Sequence, residues 1–506
     1  MGRMKAAKLF ALLFPVVLAA RLCHLRILWA EEQLPMAAAM ELARGKALYR
    51  DVWFDKPPWL AGVYLLWGAR PGWPLRLAGA LFVTLCCLLA WRFARDLWGE
   101  REAWLAAAFL AFFLTFGLPA AVIPLAADSL LLLPHLAAVY LASRQRPLAA
   151  GLLAGAGLLL NAKAVFVLAA CALWLWLAWN GTQTNADERR SARFALRVRS
   201  LVLLLIGFAL PSIAALAWFA ARGSLPDYVL QVWRLGSMYA GTTFLEHPWQ
   251  AGLVRTANWM GFHLALAVGA AWFLLRSKES GRWRFAAWAL LALAGVALGL
   301  RFFPRYYFLL LPPLALAAAR GYSLMPRKAA WALLALTLAI PFVRFGPRYG
   351  ILARDLLTGR PHSWRDITMY QDSQEAAQRV LALAPPGAGL FVWGFRPDLY
   401  VYTGLPAATR FLESQPLSGV LADRHLFRSD ALRAPFIQEN RRELMRSRPG
   451  IIVDGIGPYN SSLGIEKYPD LAPWLANYEL AERTGSVVIY RLRPSAATAG
   501  GSTQRR

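Results

Sequence analysis

The sequence predicts an α-helical polytopic membrane protein, with about 11 transmembrane helices and a small C-terminal α/β domain. Three observations carry this expectation. Of 506 residues, 58% are hydrophobic and only 17% charged, whereas soluble domains are nearer half and a quarter. Apolar runs long enough, or nearly long enough, to cross about 30 Å of hydrocarbon recur up to about residue 345. From residue 346 the texture changes to short apolar runs bounded by Gly and Pro.

The expected spans are 8–30, 75–95, 102–118, 127–143, 147–160, 163–180, 200–221, 253–275, 285–300, 303–320 and 328–345. The first is read as a span and not a cleaved signal, because it ends in "LCHLRILWAEE" with no small-residue cleavage site. With the N-terminus cytoplasmic, the inner loops ("WRFARDLWGERE", "SRQRP", "DERRSARFALRVRS" and others) hold about twice as many Lys and Arg as the outer ones. That orientation puts the loop after the first span and everything after residue 345 outside. The net charge of +26 is then that of basic loops. No basic stripe interleaved with aromatics suggests nucleic acid. Cys23, Cys86, Cys87 and Cys171 all lie inside apolar runs, without the company a metal or disulfide framework needs.

Residues 346–493 read as the α/β domain. "SQEAAQRVLALAPPG" is an amphipathic helix stopped by proline, while "GAGLFVWGF", "RPGIIVDG" and "GSVVIYRL" are strands. The tail 494–506 has the composition of a disordered segment.

The polar groups near the outer boundary need explaining. "EEQLPMAAAMELARG" predicts a short interfacial helix ending at Gly45, where Glu31 and Glu32 would at least complement its positive N-terminus. Asp128 opens a later span in "ADSLLLL", where it would also serve as an N-cap. In "DVWFDKPPWL", Asp55, Pro57 and Pro58 stiffen a loop that holds Lys56. A lysine there could merely be solvated; a rigidly presented cation suits an anion. Arg301, Arg305 and Tyr306 in "LRFFPRYYFLLLPPLALAAARG" fit an aromatic belt or, more sharply, a lipid-phosphate site. Carboxylates and cations together are what moving a group off a membrane-held phosphate requires: a base for the attacking hydroxyl, fixed charge for the departing phosphate.

The acidic pair, "G..LYRD.....KPP", "ADSLLLL" and "RYYFLLLPPLALAAARG", in this order, resemble bacterial GT-C glycosyltransferases of the family 39-like group, which includes protein O-mannosyltransferases and lipid A aminoarabinose transferases. The likeness covers roughly residues 1–345, and "VWGFRPDLYVYTGLPAATRF" extends it into the C-terminal domain. It implies a GT-C-like transmembrane catalytic domain over 1–345 in a bacterial inner membrane. It also implies inverting transfer of a sugar from a polyprenyl-phosphate donor to a lipid, glycan or protein acceptor at the outer face. The family's catalytic acid is usually the Asp of an Asp-Glu pair. Glu31 stands at that position here, and the choice between Glu31 and Glu32 stays open. Asp128 matches the second acidic position, Lys56 the lysine before proline that contacts lipid phosphate, and Arg305 with Tyr306 the late Arg-Tyr motif. Some relatives bind a divalent metal. The resemblance leaves a divalent metal open; no cofactor is predicted and no metal site is assigned here, since His247 is the only histidine in a clearly outer loop among the spans. The loop 224–249 is the expected wall of an acceptor cleft. The competing functions are a polyprenyl-lipid flippase, which would place ionisable groups near the bilayer centre, and a non-catalytic envelope scaffold.

Overall fold

The computed structural model describes residues 2–177 and 186–494. It is mostly helical, and a four-stranded sheet lies at its C-terminal end. Three described helices, Trp73–Leu97, Phe194–Ala221 and Arg327–Thr358, are long and apolar enough to cross a membrane. Shorter apolar helices lie among them, including Ala127–Ser143, Pro147–Leu158 and Ala164–Leu177. The chain is a membrane protein.

Two expected spans take a different course. Helix α1, Gly2–Leu22, stops well before residue 30, because the chain must turn to start α2, Ala30–Ala43. The Glu32 side chain reaches back to the backbone N–H of Trp29 (3.2 Å), so the acid fixes the start of α2. The expected span 253–275 is two helices, Pro248–Phe262 and Leu264–Arg276, bent by 89° at His263. Trp249, Leu253 and Val254 stand exposed on the first of them.

Helix α2 is the seat of the C-terminal region. Its face of Met36, Ala37, Ala38 and Ala39 is fully buried. Buried Glu41 accepts from the N–H of Ala407, while Arg44 and Lys46 donate to the carbonyls of Gly404 and Ala407 (both 2.6 Å). The loop after α2 is pinned from several directions. Tyr49 holds a left-handed backbone (φ 70°), and its hydroxyl donates to the Lys56 carbonyl. Gln231 bridges the Tyr49 carbonyl and the Phe54 N–H (both 2.9 Å), and the Trp53 N–H donates to the Arg410 carbonyl. Pro57 caps α3, Pro58–Tyr64, and α4 follows as Trp73–Leu97.

The helix Arg327–Thr358 runs unbroken past residue 345, followed by the helix Arg365–Leu383. The sheet has the order β1 (Leu390–Trp393), β2 (Ile451–Asp454), β4 (Val488–Leu492), β3 (Tyr478–Arg483). β1 and β2 run parallel and the other two pairings are antiparallel. Alternation divides its faces. Leu390, Val392, Ile451 and Val453 pack in the cluster that holds α2, whereas Phe391, Trp393 and Ile452 face Trp53 and Trp474. The tail 494–506 lies outside the described residues but for its first position.

Candidate active site

The charged cluster forms where α2, the 51–57 loop and the starts of two later helical segments meet. Asp128 sits in the first turn of the short helix Ala127–Leu130, and Arg305 follows Pro304 at the start of a 3₁₀ turn, Pro304–Leu310. The Arg305 guanidinium spans two acids: its Nη1 lies 2.6 Å from Glu31 Oε1, and its Nε 3.5 Å from Asp128 Oδ2. Asp128 also accepts from Lys163 Nζ at 2.8 Å and Asn161 Nδ2 at 3.0 Å. The Lys163 ammonium lies over the ring of Tyr306.

Glu31 and Glu32, adjacent in sequence, are in different situations. Glu32 is fully buried. Arg76, on α4, holds both its oxygens (3.0 and 2.7 Å), and the backbone N–H groups of Trp29 and Leu125 donate to them as well. Burial alone would be costly for such a carboxylate, and this complete set of donors is what offsets it. Glu31 is about a third exposed, its side chain at 33%, and its ion pair is with Arg305.

Lys56 and Asp55 stand beside this cluster. Lys56 Nζ donates to Asp55 Oδ2 (3.0 Å), and Gln415 Nε2 donates to the same oxygen (3.0 Å). Desolvation works to lower the Lys56 pKa. The Asp55 charge and hydrogen bond, with Glu413 and Glu31 adding to them, outweigh it and raise the ammonium above the ordinary lysine value. Lys56 is therefore cationic at neutral pH. It also faces the ring of Tyr239, 5.9 Å from its centroid, and Arg301 stacks on the same ring at 3.6 Å.

Arg301 itself is 1% exposed, with Nε 2.6 Å from Asp423 Oδ2. The structure thus ties this residue to the C-terminal region and not to open space. Of the residues singled out in the sequence, Glu31, Asp128, Arg305 and Tyr306 form one cluster with Lys56 and Asp55 at its side. Glu32 and Arg301 are enclosed in ion pairs of their own. Sequence reasoning did not assign Asn161 and Lys163 to this site, although "NAK" after an apolar run is a boundary polar group like the others. Tyr239, Glu413, Gln415 and Asp423 carry no local signal. Among the described residues, no three His, Cys, Asp or Glu side chains group as a metal site.

Two apolar cavities are lined by close chain neighbours of the cluster residues. One, of about 560 Å³, is lined by Pro58, Trp59, Leu159, Pro211, Trp218 and Phe219. The other, of about 490 Å³, lies beside Phe303, Pro304, Tyr307 and Trp259, with Arg255 and Arg344 among its lining.

Residues 56–213 match the family model described as dolichyl-phosphate-mannose-protein mannosyltransferase. No curated protein sequence matches the chain. Among solved structures, ArnT from Cupriavidus metallidurans bound to undecaprenyl phosphate is 16% identical with a TM-score of 0.56, over 96% of this chain and 98% of that one. The apo state of the same protein gives 16% identity and 0.55, over 98% and 99%. The resemblance to GT-C glycosyltransferases read in the sequence is borne out: residues 56–213 match the mannosyltransferase family model, and nearly the whole chain shares the ArnT fold.

Proposed function

We propose that the protein is an inverting glycosyltransferase that moves a sugar from a polyprenyl-phosphate donor to an acceptor hydroxyl at the outer face of the bacterial inner membrane. The observation that carries this reading is Glu31: a partly open carboxylate, paired with Arg305, beside the cationic Lys56 at the ends of apolar helices.

In the resting site Arg305 pairs with both Glu31 and Asp128, and Lys163 supplies the second positive charge that balances the two acids. A donor phosphate competes for that guanidinium and for Lys56, which frees Glu31. The acceptor hydroxyl then gives its proton to the Glu31 carboxylate as its oxygen attacks the anomeric carbon. The new C–O bond forms as the bond to the phosphate oxygen breaks on the opposite side. The electron pair leaves on the phosphate, where Lys56 and Arg305 stabilise the accumulating charge. Asp128, braced by Lys163 and Asn161, holds Arg305 in place. The cavity beside Pro58 and Trp59 suits the isoprenoid chain of the donor, and the cavity with Arg255 and Arg344 suits an acidic lipid acceptor. The N-terminus is assigned to the cytoplasm, and residues 346–493 form an extracytoplasmic domain packed on the catalytic part, residues 1–345.

The test is release of free polyprenyl phosphate by membranes that contain the protein, supplied with polyprenyl-phosphate sugars and acceptors. Acceptor-dependent release is expected. No release, with the donor pool demonstrably present, would leave the flippase or scaffold reading.

A further inference from the structure

Two buried acceptor atoms remain without a partner at the side of Lys56. Glu413, in the segment after β1, is 2% exposed, and its Oε2 has no hydrogen-bond partner. Asp55 Oδ1 is likewise enclosed and unpartnered, although its Oδ2 receives both Lys56 and Gln415. A buried polar atom left unpaired costs about 1–3 kcal/mol, and two of them close together call for an explanation. Asp55 Oδ2 holds Lys56 directly, and Glu413 lies two residues before Gln415, which donates to that same oxygen, so both acids belong to the surroundings of the cation assigned above to the donor phosphate.

We propose that Glu413 and Asp55 form a subsite for the hydroxyl groups of the donor sugar, so that Glu413 determines which sugar the protein accepts. This rests on the glycosyltransferase reading, and it names a substrate group that reading leaves open. A sugar attached to the phosphate held by Lys56 lies within a few ångströms of it, and its hydroxyls are the donors that the orphaned oxygens lack. Burial, with the neighbouring Asp55 charge, pushes the Glu413 carboxyl well above the ordinary glutamate value, against the pull of Lys56. Burial thus favours the neutral acid, and a neutral carboxyl can both donate to one sugar oxygen and accept from a hydroxyl. Asp55, anchored at Oδ2, offers Oδ1 as a pure acceptor. Such a site discriminates strongly, because a sugar without the matching hydroxyl leaves buried groups unpaired.

The experiment measures the sugar-dependent gain in affinity of the full-length protein in lipid nanodiscs. The gain is the ratio of the Kd for undecaprenyl phosphate to the Kd for undecaprenyl-phosphate hexoses, pentoses and their monodeoxy analogues. For wild type a gain of at least about tenfold is expected with the preferred sugar, and loss of one particular hydroxyl should abolish it. Glu413→Ala and the volume-conserving Glu413→Met should bring the ratio to near one, whereas Glu413→Gln, which still donates and accepts, should keep it. A wild-type ratio near one for every sugar, or a gain that no single deoxy position removes, would overturn the proposal without touching carrier binding. So would a Glu413→Ala or Glu413→Met protein whose ratio is unchanged. Failure of wild type to bind undecaprenyl phosphate at all would instead defeat the glycosyltransferase reading, and this proposal with it.

Discussion

At the scale of single residues, the adjacent glutamates make the sharpest contrast. Glu32 has its oxygens filled by Arg76 and two backbone donors, so it has no lone pair facing an acceptor hydroxyl. Removing it strands a buried arginine. Glu32→Ala is expected to cost about 3–5 kcal/mol of stability, read as a lower melting temperature of the purified protein. Glu413 supplies a pH dependence. Its folded pKa is raised, so as pH rises above the unfolded glutamate value the unfolded chain loses its proton while the folded one keeps it. Stability is then fully present at low pH and declines as pH rises towards the folded value. Glu413→Gln is expected to flatten that decline and to melt higher than wild type at pH 8; a steeper decline in the variant would refute the assignment. Lys56→Ala should lower turnover by about 10²–10³-fold through the lost phosphate contact, checked by single-turnover rates at saturating donor.

At the scale of elements, spacing in the sequence revealed some pieces and concealed others. β1, β2 and β4 were legible because "LFVW", "IIVD" and "VIYRL" are apolar runs between turn residues. β3, "YELAER", was not: it is a polar edge strand whose register shifts between Leu480 and Glu482, so no clean alternation marks it. The short α2 was legible from its acids and from Gly45, but the end of α1 was not, because the chain stays apolar through Leu28 and Trp29. The bend at His263 was hidden for the same reason, since hydropathy does not report direction. With Leu264–Arg276 directed across the bilayer, an 89° bend lays Pro248–Phe262 along the interface. A nitroxide at Leu253→Cys should then report a shallow depth, and one at Leu336→Cys, exposed in the middle of an expected span, a deep one. Equal depths would rule the interfacial placement out. Where the helix Pro147–Leu158 crosses Ala186–Ala221, Gly151 and Gly155 lie against the backbone of Leu204 and Phe208. A side chain there has nowhere to go, so Gly151→Leu should prevent stable packing.

On the scale of the whole molecule, the site is composite. The loop of Asp55 and Lys56 is tied from the side by Gln415, and Arg301 is held by Asp423. These partners lie more than a hundred residues away along the chain, and nothing local distinguishes Glu413 from any other loop acid. That is why the membrane half of the site could be read from motifs while the C-terminal half could not. These contacts also make the C-terminal region part of the surroundings of Asp55 and Arg301 and not merely an appended domain.

The central claim, Glu31 as base, is tested most directly by release of free polyprenyl phosphate from Glu31→Gln and Glu32→Gln proteins of verified fold. The account predicts that Glu31→Gln loses about 10²–10⁴-fold in rate at unchanged melting temperature, and that Glu32→Gln melts lower while its folded fraction still turns over. Undiminished release by folded Glu31→Gln would contradict it.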